Sequence, residues 1–160
     1  MGAPGKRSYG TLMLFIAGCL AVGFLGSLAT SSSLQNWYLG IQKPFLNPPN
    51  WVFAPVWTIF YILMAVAGWR LWTAESDRRF RLRALFVVQL VFNGIWSPLF
   101  FGAQNPLAGL IDIVLLWSVL LSLTRTAWRE DRVSGLLLVP YFFWVSFATY
   151  LNAAIWWLNR

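Results

Sequence analysis

Five apolar stretches, over residues 9–30, 51–73, 82–102, 107–128 and 133–158, take up most of this 160-residue chain. Each is long enough to cross a hydrocarbon core, which takes about 20 residues of α-helix. Inside a bilayer no water is available to satisfy backbone N–H and C=O groups, so a spanning helix must bond within itself. The chain is therefore predicted to be an all-α membrane protein: a five-transmembrane-helix bundle forming a single domain over residues 1–160, with short connections. With 59% of residues hydrophobic and 11% charged, a soluble globular domain is a poor fit.

The basic residues then orient the bundle. If all five stretches span, Lys6, Arg7, Arg70, Arg78, Arg79, Arg81, Arg83, Arg125, Arg129 and Arg132 share one side, and only Lys43 and Arg160 lie on the other. By the positive-inside rule the crowded side is cytoplasmic, which puts the N-terminus inside and the C-terminus outside. The net charge of +7 sits in short loops and helix ends, so it reads as a topology signal and headgroup contact, and no nucleic-acid partner is expected. The apolar run after Lys6 and Arg7 is too long for the core of a cleavable signal peptide.

Several chemistries are excluded by composition. There is no histidine, which removes the Ser-His-Asp triad, the common zinc sites and the usual haem ligand. Cys19 is the one cysteine, so no intrachain disulfide forms. No glycine-rich phosphate loop, metal cluster or paired intramembrane carboxylate is present, so no metal and no cofactor is expected. Asp112 is the one acid within a span. It reads either as a functional group or as a carboxylate near the interface, with Lys43 and the Asn105 turn as candidate neighbours.

Other features leave two readings each. Cys19, Gly23 and Ser27 are small residues four apart, suited to a dimer seam or pocket wall, or to ordinary packing within the bundle. The first connection, residues 31–50, reads SSSLQNWYLGIQKPFLNPPN. Pro44, Pro48 and Pro49 stiffen it, and its aromatic residues form either an interfacial belt or a lid over a cavity. Gln89 and Asn93 share a helix face that must point into the bundle. Trp144, Ala148 and Asn152 repeat every four residues, like the wall of an apolar slot with one polar anchor. Among eleven tryptophans, Trp57, Trp96, Trp117 and Trp144 lie deep in their spans, as wall for a flat aromatic ligand or as bulky packing.

The run WYLGIQKPFLNPPNWVFAPVWTIFY, residues 37–61, resembles the signature of the TspO/MBR family of translocator proteins and tryptophan-rich sensory proteins. The match continues through QLVFNGIWSPLFFGAQ (residues 89–104) and PYFFWVSFATYLN (residues 140–152), covering nearly the whole chain in order. The resemblance implies a homodimeric five-helix protein in a bacterial cell membrane, with membrane lipid around it. It would bind porphyrins such as protoporphyrin IX and haem, or related hydrophobic small molecules, in tetrapyrrole sensing, transport or homeostasis. Carried over by motif position, the ligand would meet Tyr38, Pro48, Trp57, Asn93, Trp144 and Ala148. The resemblance also implies an alternative, light-dependent porphyrin degradation, with Trp57 and Trp144 as the candidate catalytic residues. The cholesterol-recognition pattern of animal members is absent: Ala153 and Trp157 occupy its places, and Tyr150 is far from Arg160.

The charge asymmetry makes a direct prediction. A reporter active only in the cytoplasm, fused after Arg160, should be silent, while the same reporter placed in the 125–132 turn should be active.

Overall fold

The computed structural model of the protein describes residues 8–160. It contains α1 (Tyr9–Leu34), the single turn α2 (Trp37–Gly40), α3 (Asn50–Thr73), α4 (Arg79–Ser97), α5 (Pro106–Glu130) and α6 (Arg132–Leu158). The chain is 85% helix, with no strand among the described residues. The five long helices correspond to the five predicted spans, each long and apolar enough to cross a membrane. Boundaries differ modestly: α1 runs on to Leu34, and α4 begins at Arg79. Eight arginines lie at the end carrying the α3–α4 and α5–α6 connections, while Lys43 and Arg160 lie at the other. Lys6 and Arg7, which enter the orientation argument, lie outside the described residues.

The third span is not α-helical to its end, although it reaches Gly102 as the sequence predicts. It continues as a π-helical turn over Pro98–Gly102, with the Ala103 N–H donating to the Pro98 carbonyl at 2.8 Å. A π turn widens the helix by one residue per bond, and it ends with Phe100 and Phe101 both buried. The chain then reverses through Gln104, at φ 51°, into Asn105, whose Oδ1 accepts from the Ala108 N–H at 3.0 Å and caps α5.

Helix α1 packs on α3 where Gly23 meets Tyr61. A Cβ on Gly23 would lie 2.4 Å from a Tyr61 ring carbon, so only glycine lets the helices approach this closely. Cys19 is buried beside it, whereas Ser27 is exposed and bonds back to the Phe24 carbonyl. Within this fold Cys19 and Gly23 therefore serve packing of the bundle itself. The remaining face of α1 presents Leu14, Phe24, Leu25 and Leu28 outward, as a lipid-facing helix must.

Helices α5 and α6 form a hairpin joined by one residue. The Asp131 N–H closes α5 by donating to the Ala127 carbonyl at 2.7 Å, and the Asp131 carbonyl accepts the Gly135 N–H at 3.0 Å to open α6. Gly135 permits this because a Cβ there would sit 2.8 Å from the Trp128 Cα, a backbone atom that cannot step aside. Arg70 of α3 donates from Nε and Nη2 to the two Asp131 oxygens, both at 2.8 Å, and the Ser134 hydroxyl donates to Oδ2. This paired fork ties three helices together at the arginine-rich end.

The Arg70 bonds outweigh the cost of burial and hold the Asp131 carboxyl down at about 2. An acid whose folded pKa is depressed contributes stability that is complete above its ordinary value and is lost as pH falls through the folded one. Stability against thermal unfolding in detergent should thus fall between about pH 4 and pH 2, by about 1 kcal/mol once solvent screening is allowed for. Arg70→Gln should be less stable at neutral pH and show a flatter acid limb.

Candidate functional site

At the opposite end of the bundle, α3, α4, α5 and α6 part around a cavity of about 140 Å³, closed over in part by residues 35–49. Its floor is a chain of buried hydrogen bonds. The Tyr61 hydroxyl of α3 donates to Asn93 Oδ1 of α4 at 2.6 Å, and Asn93 Nδ2 donates to the Tyr141 hydroxyl of α6 at 2.8 Å. Tyr141 in turn donates to Gln89 Oε1 at 3.2 Å, and Gln89 Nε2 reaches Met64 Sδ at 3.5 Å. Gln89 and Asn93 point into the bundle as their spacing predicts.

The walls are aromatic. Trp57 packs against Tyr61, Tyr141 and Phe60, with ring centroids 5.8, 6.1 and 6.4 Å away. Trp144 packs against Phe60, Phe53 and Phe147 at 5.9, 6.0 and 5.8 Å. Phe60 thus stands between the two tryptophans. Trp96 stacks on Phe100 at 5.1 Å and donates from Nε1 to Asn152 Oδ1 at 3.0 Å. Asn152 Nδ2 donates to the Pro106 carbonyl at 2.7 Å. One buried donor in the lining has no hydrogen-bond partner among the described residues: Trp144 Nε1.

In the connection over the cavity some aromatic side chains turn inward and others outward. Tyr38 is buried against Phe101, 5.4 Å away, and Trp37 packs against Phe100 at 5.7 Å. Phe45, wholly exposed, and Leu46 and Trp51, also exposed, project outward at interfacial positions. Burial raises the Tyr38 hydroxyl above its ordinary pKa, more than the Asn47 bond lowers it, so it stays protonated. It donates to Asn47 Oδ1 at 3.2 Å, and the Lys43 ammonium lies 4.6 Å from its ring centre. Asn159 at the end of α6 pins the connection: its Oδ1 accepts the Gln42 N–H and its Nδ2 donates to the Gln42 carbonyl, both at 2.9 Å.

Of the six residues expected at a ligand, Tyr38, Trp57, Asn93, Trp144 and Ala148 all line this one cavity. Pro48 does not. Its neighbour Asn47 lines it instead, bonded to the Pro48 carbonyl at 3.2 Å. Trp96 is also in the wall, whereas Trp117 is in the α5–α6 seam, donating to Ser146 Oγ at 2.8 Å and packing on Phe142. Asp112 is buried beside the cavity but outside its lining, with Oδ2 unpartnered among the described residues. Neither expected neighbour pairs with it: Lys43 Nζ points to the Ile41 carbonyl, and Asn105 is committed to capping α5. No cluster of metal-binding side chains occurs among the described residues. Sequence reasoning missed Asn47 and Asn159, since lone asparagines in a turn and at a chain end carry no periodic signal. It passed over Tyr61 as a polar partner, although the spacing of Trp57 and Tyr61 put both on one face.

Residues 15–158 match the profile of the TspO/MBR family. The chain is 47% identical to the tryptophan-rich protein TspO of Chlorobaculum tepidum, over 93% of this chain and 96% of that one. It is 45% identical to the tryptophan-rich protein TspO of Archaeoglobus fulgidus, over 92% and 96%. The human translocator protein is 30% identical over 98% of this chain and 92% of its own.

The bonding around Asn93 and Asn159 separates two kinds of defect. Asn93→Leu strands the Tyr61 hydroxyl and takes one of two partners from the Tyr141 hydroxyl, which keeps Gln89; a buried group left unpaired costs about 1–3 kcal/mol, so its melting temperature should drop clearly. Asn159→Ala should leave the melting temperature almost unchanged while speeding amide exchange across residues 35–49.

Proposed function

The chain belongs to the TspO/MBR family, and from that premise we propose that this integral, multi-pass membrane protein binds a tetrapyrrole of the protoporphyrin IX or haem class in the cavity beneath residues 35–49. The observation that carries the reading is the composition of the wall. Trp57, Trp96 and Trp144 supply aromatic surface, and Trp144 Nε1 is a buried donor still free to bond. Flat rings gain area and stacking from such a wall, and a donor in an apolar site fixes orientation.

Size adds a condition. A cavity of about 150 Å³ holds one benzene ring, and the free space here is about 140 Å³. A macrocycle of four pyrroles needs more, so residues 35–49 must lift to admit it and then act as a lid. They are held by the Tyr38–Asn47 bond and the Gln42–Asn159 pair, a few neutral hydrogen bonds worth about 1 kcal/mol each. We read the arginine-rich end as cytoplasmic, so the cavity opens on the far side of the membrane, and we read the protein as a homodimer on the strength of the family resemblance. Sensing, transport and homeostasis of tetrapyrroles are all served by such a site.

A second reading, light-dependent breakdown of the bound porphyrin, is favoured by one observation: Trp57 and Trp144, both easily oxidised indoles, line the same cavity around Phe60.

Protoporphyrin IX should quench the tryptophan fluorescence of the purified protein saturably. Trp144→Phe keeps the aromatic contact but removes the free donor, so affinity should fall about fivefold, the equivalent of about 1 kcal/mol. Pro48→Gly with Pro49→Gly should raise the dissociation rate in stopped flow with helix content unchanged. Parent-like affinity in Trp57→Phe, Trp144→Phe and Asn93→Leu together would move the site elsewhere. Illumination of the complex separates the second reading: product that disappears in Trp57→Phe and Trp144→Phe with binding retained supports turnover, and bleaching at the rate of free porphyrin supports binding alone.

A further inference from the structure

The end of the bundle remote from the cavity holds a second opening. Helices α4 and α5 part there around a cleft of about 450 Å³ lined by Arg78, Arg81, Arg125 and Arg129, with Ser122 and Thr126 between them. The arginines are not equivalent. Arg78 is paired with Glu130 at 2.7 Å. Arg81 reaches only the Ser122 hydroxyl, at 3.3 Å. Arg125 and Arg129 have no hydrogen-bond, ion-pair or ring partner among the described residues. Three guanidinium groups thus face one cleft whose lining holds no acid, and the nearby Glu130 is committed to Arg78. Like charges gathered this way repel one another, and an anion entering between them relieves that repulsion. Planar guanidinium forks match phosphate oxygens in particular.

Position decides which phosphate. Arg81 and Arg125 lie within the spanning helices, Arg79–Gly102 and Pro106–Glu130, about half a turn and one and a half turns from their ends. That is headgroup depth. The cleft is also continuous with a bare apolar track. On α5, Val114 and Ile111 follow Arg125, Ser122 and Ser118 along one helix face, and both are exposed. On α4, Val88 lies two turns from Arg81 on the same face and is exposed too. A soluble phosphate would use the arginines and leave this track unused. A lipid uses both.

We propose that the α4–α5 cleft is a binding site for an anionic phospholipid. Its phosphate sits among Arg81, Arg125 and Arg129, the Ser122 and Thr126 side chains offer further polar contact, and an acyl chain lies along Val114 and Ile111. Basic pockets between spanning helices take anionic headgroups by this combination of charge and depth. The site is independent of the tetrapyrrole reading, because it shares no residue with the cavity.

The test is native mass spectrometry of the full-length protein in detergent, titrated with dioleoyl-phosphatidylglycerol or with dioleoyl-phosphatidylcholine, which has the same chains and phosphate but no net charge. Phosphatidylglycerol should be retained preferentially. Each of Arg81→Gln and Arg125→Gln should cost about fivefold in its affinity, and the pair about twenty-fivefold. Arg79→Gln with Arg132→Gln makes the same change of charge outside the cleft and should cost less than about twofold. Ser118→Phe fills the cleft with every arginine in place and should also abolish the preference, which keeps the proposal testable if the arginine variants fold poorly. Equal retention of the two lipids, equal losses in the cleft and control pairs, or an unaffected Ser118→Phe would each overturn the site. Displacement of the lipid by millimolar inorganic phosphate would overturn the lipid assignment and leave a site for a soluble anion.

Discussion

Within a bilayer, apolar side chains gain little by packing on one another instead of on lipid, so helix register has to come from contacts with a fixed geometry. In this bundle the central such contact is the buried run from Tyr61 through Asn93 and Tyr141 to Gln89 and Met64, which passes between α3, α4 and α6. Each link is worth on the order of 1 kcal/mol or less in a membrane. Their value lies in exclusivity: sliding any of the three helices by one turn would leave several amides and hydroxyls unpaired in a medium that offers no water. The close approach of α1 at Gly23 depends on Tyr61 being held where this run holds it. The cavity lies directly above, and its floor is as well defined as the network beneath it.

The two ends of the bundle are held differently. At the arginine-rich end a forked ion pair, a one-residue hairpin and a glycine pressed on backbone leave no slack. At the other end a proline-stiffened connection rests on neutral amide and hydroxyl contacts through Asn47 and Asn159. Phe45 and Leu46 of this connection, with Trp51 in the first turn of α3, are exposed apolar side chains suited to the headgroup region.

Most of this architecture was legible in the sequence, because bilayer thickness converts hydropathy into helix number almost without ambiguity. The inward face of Gln89 and Asn93 was legible for the same reason: amides avoid hydrocarbon. The π turn after Pro98 was not, since Pro98 and Gly102 look like a helix end in any local pattern, and continuation depends on how Phe100 and Phe101 pack. The pins at Asn47 and Asn159 were invisible because they join positions more than a hundred residues apart, or bind within a turn whose path no periodicity fixes. Of the six residues that motif resemblance implies at a ligand, five stand in the lining of one cavity, and at the sixth position, Pro48, it is the neighbouring Asn47 that faces it.

The single residue between α5 and α6 has a mechanical consequence. With Asp131 gripped by Arg70 on one side and shared by both helices on the other, the hairpin cannot slide or lengthen at that end, and relative motion reduces to a change of angle. Helix α6 has 27 residues, and at about 1.5 Å per residue it extends about 40 Å from that pivot. A turn of about 5° at Asp131 carries its far end through about 3.5 Å, the thickness of an aromatic ring. The Trp117–Ser146 and Asn152–Pro106 bonds carry α5 along with it, so the two helices turn about Asp131 as one pair, and a small rotation among the arginines becomes a displacement of ring thickness at Ala148, Asn152 and Asn159.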